Sequence, residues 1–164
     1  MVVLKEYINE VEELMRLIKG FWLCHNGWNQ TDEESLNDLT SWTKEGHKIY
    51  FIIYSNEKVG FVHLGSRGAG MDWLEDLFVL PEFQNRGIGT KAIELIEEIV
   101  KEYSISLYIE AAARNEKAIK LYRKLGYDCL NTITIRKDFK KDNFVCVKKE
   151  KIYDEIFEIR KKVK

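Results

Sequence analysis

The chain has 164 residues and a mass of 19.4 kDa, which is room for one well-packed domain. Apolar residues make up 45% and charged residues 32%, and one proline with ten glycines excludes collagen-like, linker-rich or broadly disordered organisation. A net charge of -1 and a pI near 6.3 leave no overall electrostatic footprint for nucleic acid.

Taken in chain order, Ile8, Val11, Leu14, Met15 and Ile18 are spaced for one face of a helix over residues 7–19. The aromatic stretch Phe21 to Trp28 reads as irregular. Thr31 and Glu34 have the spacing of a capping box, which opens a second helix running to about Glu45. Lys48 to Tyr54 is rich in β-branched and aromatic residues and reads as a strand. The turn Ser55 to Lys58 returns it as a hairpin through Val59 to Leu64. A loop from Gly65 to Gly70 leads to a strand over Trp73 to Leu80, closed by Pro81, which cannot donate to a central ladder. A helix over Gly87 to Tyr103, a strand over Ser106 to Ala111 and a helix over Asn115 to Leu125 ending at Gly126 follow. Tyr127 to Arg136 reads as a further strand, and Ile152, Ile156 and Ile159 favour a helix in the last segment. This order predicts a three-layer α/β fold with helices on both faces of a mixed sheet.

Charge is unevenly spread. Arg136 to Lys164 holds eleven basic and six acidic residues, against fifteen basic and twenty-one acidic in Met1 to Ile135. A negative main body favours cationic small molecules over phosphate-rich partners, and the basic tail reads as a solvated face that could also serve a homodimer. The start of the chain lacks a basic segment followed by an apolar run, and no apolar stretch reaches the roughly 18 residues of a membrane span. Cys24, Cys129 and Cys146 are far apart and show no CxxC, so they read as buried small apolar residues in a reducing, cytoplasmic protein. His25, His47 and His63 have no metal-ligand spacing and are not expected to act as bases; no metal is expected.

The sharpest local feature is the junction from Leu80 to Thr90. Gly87 and Gly89 stand at the first turn of a helix, where backbone N–H groups lack intrahelical acceptors and a missing Cβ admits an anion. The helix dipole and Arg86 add to this, so a pyrophosphate fits the chemistry; a ligand-free tight turn is the plain alternative. GxxxxGK[ST] and GxGxxG are both absent, and the Gly65–Gly70 cluster precedes a strand, so it lacks an anion-binding helix end.

Leu74-Glu75-Asp76-Leu77-Phe78-Val79-Leu80-Pro81, running into Gln84-Asn85-Arg86-Gly87-Ile88-Gly89, resembles the GNAT superfamily of acetyl-CoA-dependent N-acetyltransferases. Its Q/R-x-x-G-x-G/A motif is met by Gln84, Gly87 and Gly89. A second segment, Asn115 to Tyr127 with Ala118 and Tyr122, matches the family's N…A…Y…GF/Y pattern. Together they cover Trp73 to Tyr127; the segment from about residue 138 is a basic extension to a single acetyltransferase domain spanning 1–164.

The resemblance implies acetyl-CoA as co-substrate and a splayed pair of parallel strands that receives its pantetheine. Main chain of Leu77, Phe78 and Val79 would face the pantetheine and thioester, with the Val79 N–H at the oxyanion. Residues Gln84, Asn85, Arg86, Gly87, Ile88, Gly89 and Thr90 would hold the pyrophosphate, and Asn115 and Ala118 would border the cofactor. Tyr122 would protonate the departing thiolate, since a phenol keeps its proton to about pH 10. Glu75 would act as base or amine-binding group, with Asp76 or a water as substitute. In a regular strand these two neighbours face opposite ways unless a bulge redirects one. Trp28 would line the acceptor site, although packing also accounts for it, as for Trp22 and Trp42.

The implied activity is acetyl transfer to a small cationic amine such as a polyamine or aminoglycoside, with no nucleic acid and no membrane involved. Protein N-terminal acetylation and a non-catalytic CoA sensor are the competing readings.

Overall fold

A computed structural model describes residues 1–68 and 70–163; Ala69, inside the Gly65–Gly70 loop, and Lys164 lie outside the described residues. The chain divides into two compact units, Met1–Glu110 and Ala111–Lys164.

The first unit contains β1 (Val2–Glu6), α1 (Val11–Asn26), α2 (Asp32–Trp42), β2 (His47–Tyr54), β3 (Glu57–Gly65), β4 (Trp73–Val79), α3 (Ile88–Lys101) and β5 (Tyr108–Ile109). The five strands lie in sequence order in one sheet, antiparallel throughout except for the parallel β4–β5 pair. Side-chain alternation then sorts the helices. Ile49, Phe51, Phe61 and Phe78 face Leu14, Leu17 and Ile18 of α1 and Leu39 of α2 in one core cluster. On the other face α3 packs against β1 and β4 through its buried stripe Ala92, Ile93, Ile96 and Val100. The expected α/β, three-layer arrangement is therefore present, with a mostly antiparallel sheet and helices on both faces.

Two boundaries moved. The chain begins with β1, which pairs with β2 from Val2↔Tyr54 to Glu6↔Tyr50 and was not expected. The first helix starts later and runs through the aromatic stretch that reads as irregular, because Phe21 and Trp22 continue the buried face begun by Leu14, Leu17 and Ile18. Gly27 ends it at φ 76°, a left-handed conformation that glycine adopts without a Cβ clash. The capping box is formed as expected: Glu34 N–H donates to the Thr31 hydroxyl at 3.2 Å, and Thr31 N–H donates to the Glu34 carboxylate at 2.8 Å.

The second unit contains α4 (Glu116–Lys124), a 3₁₀ turn over Lys141–Asn143, β6 (Phe144–Ile152) and β7 (Glu155–Lys162). Residues 127–136, expected as a strand, form no regular element. The last segment is a β-hairpin and not the expected helix. Tyr153 and Asp154, both at positive φ (50° and 68°), make its two-residue turn. All three cysteines are exposed, against the expectation of burial.

Candidate active site

Strand β4 is the spine of the site. On one side it pairs with β3 from Trp73 to Val79; on the other it meets β5 only at Trp73↔Tyr108 and Leu74↔Ile109. Beyond Leu74, that edge of β4 has no strand partner among the described residues, so the main-chain groups that point to it between Glu75 and Val79 lack a strand partner. The far end of β4 is set tightly against β3. A Cβ on Gly60 would fall 2.0 Å from the Phe78 carbonyl oxygen, an approach only glycine allows. The Phe78 ring is committed to packing under Gly20 of α1, and Val79 is buried, so these residues offer the site their backbone.

After β4, Pro81–Phe83 forms one 3₁₀ turn and the chain reaches α3 through Asn85 (φ 59°) and Gly87 (φ 75°), both left-handed. Such turns aim successive N–H groups into one concavity. The first intrahelical bond of α3 is Lys91 N–H to Gly87 O at 3.0 Å, which leaves the N–H groups of Ile88, Gly89 and Thr90 without helical acceptors. No side chain caps this end and no acidic residue sits in its first turn. Buried Ile88 pins the helix start, while Asn85, Arg86 and Gly87 are exposed. The Gln84 amide donates 2.8 Å to the Val79 carbonyl, so this motif residue ties the turn back to the end of β4. The residues present suit a pyrophosphate: open donors, the positive end of a helix dipole, and one arginine.

At the opposite end of β4, Glu75 is the extra residue of a β-bulge, since His63 pairs with Asp76 and Leu64 with Leu74. The bulge brings both acidic side chains to one face. A Cβ on Gly65 would touch the Glu75 carboxylate, and Gly65 points the same way as His63, two residues before it. Glu75 accepts two bonds from Arg67, at 3.1 Å from Nε and 2.8 Å from Nη2. Arg67 also donates to Glu110 at 2.8 Å and lies 3.7 Å over the Trp73 ring. Its guanidinium holds the Glu110 carboxyl below the ordinary carboxylate range.

Asp76 faces a line of histidines that the sequence did not suggest. Its carboxylate stands 2.8 Å from His63 Nδ1, and His63 Nε2 stands 2.8 Å from His47 Nδ1. His63 is 2% exposed and its ring is stacked under Trp42, 4.9 Å between centroids. The only available signal was register: three strands had to be aligned before residues 47, 63 and 76 could be seen as neighbours. Trp42 is thus occupied by packing, whereas Trp28 is half-exposed beside Trp22 in the α1–α2 connection.

In the second unit, Asn115 caps α4: its side-chain oxygen accepts the Ala118 N–H at 3.2 Å. Tyr122, on the same helix, is half-buried with its ring 5.9 Å from Tyr127. Burial raises its pKa above that of a free phenol, so the hydroxyl keeps its proton through the neutral range. Among the described residues no three His, Cys, Asp or Glu side chains are grouped to hold a metal, and no helix is long and apolar enough to cross a membrane.

A sequence model of the Acetyltransferase (GNAT) family matches residues 11–127, and the chain belongs to that family. A thialysine N-epsilon-acetyltransferase of Mus musculus is 33% identical over 82 residues, 49% of this chain and 42% of the relative. A [ribosomal protein bS18]-alanine N-acetyltransferase of Salmonella typhimurium is 39% identical over 67 residues, 40% of this chain and 43% of the relative. The matched stretch spans less than half the length of either. Among solved structures, an aminoglycoside N-acetyltransferase in complex with CoA superposes with a TM-score of 0.64 at 17% identity, over 85% of this chain and 95% of that one. A possible acetyltransferase from Clostridium difficile 630 gives 0.69 at 12% identity, over 85% and 99%. At these identities the structural likeness shows the shared fold.

Proposed function

We propose that the protein transfers an acetyl group from acetyl-CoA to the primary amine of a small cationic molecule, of the polyamine or aminoglycoside kind, by direct attack. The observation that carries this reading is the pairing of an uncapped helix end, reached through left-handed Gly87, with a strand whose edge is released after Leu74. Acetyl-CoA supplies an activated thioester; this chain's residues bind and orient it. N–H groups from Gly87 to Thr90 and the Arg86 guanidinium hold the pyrophosphate. Main chain of Leu77, Phe78 and Val79 takes up the pantetheine in the manner of an added strand, and the Val79 N–H donates to the developing oxyanion. Tyr122 donates its phenolic proton to the sulfur as the C–S bond breaks. Asn115 and Ala118 border the cofactor on α4.

The acceptor class rests on charge. Glu75 and Glu110 set two carboxylates against one Arg67 guanidinium, and Asp76 adds a third on β4 beside His63, a net negative setting that draws an ammonium. Both Arg67 bonds to Glu75 fall on its carboxylate, which suits Glu75 better to binding the amine than to taking its proton. Trp28 offers an exposed aromatic face to the same class of ligand. The similarity to a ribosomal-protein alanine acetyltransferase supports a second reading, acetylation of a protein N-terminus.

The test is acetyl-CoA-dependent thiol release against polyamines, aminoglycosides, amino acids and short peptides, with a blank lacking acceptor. Turnover on polycations is expected. Turnover confined to peptides would establish the second reading, and CoA binding without turnover on any acceptor would leave a sensor. Tyr122→Phe is expected to lower kcat about 10- to 100-fold with CoA affinity unchanged; an unchanged kcat would remove its acid role.

A further inference from the structure

We propose that His47 takes the proton of the acceptor amine, held for that task by Asp76 acting through His63. The inference rests on the acetyl-transfer reading and assigns the one group that reading leaves open.

Hydrogen-bond accounting fixes the order of the chain. An ionised Asp76 can only accept, so His63 must donate from Nδ1. A neutral His63 then has only a lone pair at Nε2, so His47 must donate its Nδ1–H to it. That places the lone pair of His47 on Nε2, which makes no hydrogen bond among the described residues. His47 is half-buried at the end of β2, whereas His63 is sealed under Trp42 and cannot turn its ring without losing both partners. A histidine serving packing alone would not need a second, half-buried histidine to finish its bonding.

The groups facing His47 are His63 on β3, Lys44 in the α2–β2 connection and Glu75 on β4, with Asp76 behind His63 and Arg67 paired to Glu75. Burial, His63 and Lys44 outweigh Glu75 and hold the His47 imidazole below its ordinary range, so the ring is neutral near pH 7. Attack on the thioester makes the acceptor nitrogen strongly acidic. As the C–N bond forms, one N–H bond of that nitrogen breaks and a new N–H forms at His47 Nε2, directly or through one water. The Nδ1–H of His47 can then shift toward His63 Nε2, which draws the added charge toward the Asp76 carboxylate. Release of one proton to solvent restores the starting tautomers, and Tyr122 independently protonates the sulfur.

Two measurements decide it. In ring-¹⁵N-labelled holoprotein, NMR should show both His47 and His63 as Nδ1–H tautomers, the reverse of the Nε2–H form that a free histidine side chain favours, and Asp76→Asn should disturb His63 and, through it, His47. In the pH dependence of kcat/KM, wild type should lose activity as pH falls through a midpoint below about 6.5. His47→Gln should remove that limb and lower kcat about 100-fold at unchanged CoA affinity, with partial rescue of His47→Ala by free imidazole. His63→Gln, which keeps a donor and an acceptor, should shift the limb while leaving the fold intact.

An Nε2–H tautomer at either ring would overturn the chain of bonds. Correct tautomers with an unaltered pH profile in His47→Gln would overturn the proton-acceptor role. Absence of turnover on every acceptor would sink the acetyl-transfer reading and this role with it, while the NMR would still report whether the bonded line exists.

Discussion

In the β2–β3 hairpin the turn is Ser55–Asn56, in β6–β7 it is Tyr153–Asp154, and all four residues have positive φ, between 50° and 68°. Each pair bridges directly opposed residues, Tyr54↔Glu57 in one case and Ile152↔Glu155 in the other. The backbone solution is therefore the same: a two-residue turn whose twist matches that of its strands. The difference lies in what covers them. The middle of β2 and nearly all of β3 are buried, with α1 and α2 on one face of the sheet, whereas β6 and β7 hold no buried residue. A turn and a ladder can thus specify a hairpin, but only coverage makes its residues part of a core.

Truncation should break the comparison most sharply. Phe61→Ala removes a fully buried ring that meets Phe21, Trp42 and Phe78, and is expected to cost about 3–5 kcal/mol. Phe157→Ala, on the half-exposed β7 position, should cost about 1 kcal/mol or less. All four tryptophans (Trp22, Trp28, Trp42 and Trp73) lie in the first unit, so urea melts followed by tryptophan fluorescence report that unit. A Phe157→Ala midpoint shift as large as that of Phe61→Ala would show that the C-terminal hairpin is not the lightly packed element its exposure indicates.

The same contrast explains what could be read without coordinates. The hairpin at Ser55–Asn56 was legible, as a turn over Ser55–Lys58, because β-branched and aromatic runs flank it, and buried strands leave that mark. Around Tyr153–Asp154 the flanking residues are charged, so Ile152, Ile156 and Ile159 fall at a spacing that also fits one side of a helix. Exposure removed the pattern that would have chosen between them. At the site, the glycine turn proposed to hold the pyrophosphate was visible as a motif because its chemistry is local: Gln84, Gly87 and Gly89 lie within six positions. The His47–His63–Asp76 line was not, because it is a product of register across three strands. The bulge at Glu75 was foreseeable only as a condition, since nothing in Leu-Glu-Asp-Leu declares an extra residue.

Positive φ also sharpens the contrast between a turn that serves pairing and one proposed to serve a ligand. Gly87 sits at φ 75° with nothing within 4 Å of where a Cβ would stand, so its glycine answers to backbone conformation and not to protein crowding. Asparagine tolerates that region, and Gly87→Asn should retain CoA binding to within a few-fold. Gly87→Glu combines strain with an anion at the open helix end, and should weaken CoA by about tenfold or more at unchanged melting temperature within a few degrees. Calorimetric titration with CoA checks both. Equal loss in the two variants would mean that shape, and not charge, governs this turn; no loss in either would remove the pyrophosphate assignment.

The smallest effect returns to the hairpins. Tyr153 and Asp154 both adopt a conformation that asparagine and glycine reach at lower cost, so Tyr153→Asn with Asp154→Gly should stabilise β6–β7 by about 1 kcal/mol. Because this hairpin is so exposed, the gain should stay local: slower hydrogen exchange in amides of β6 and β7, with the tryptophan-reported melt unmoved. Installing Asn-Gly at Ser55 and Asn56 should instead raise the melt itself, since that turn closes strands whose burial belongs to the cooperative core. If the Tyr153–Asp154 exchange raised the tryptophan melt as well, the two hairpins would be one folding unit in spite of their difference in burial. Turn chemistry alone would then have carried stability across the chain, which the absence of buried side chains in β6 and β7 argues against.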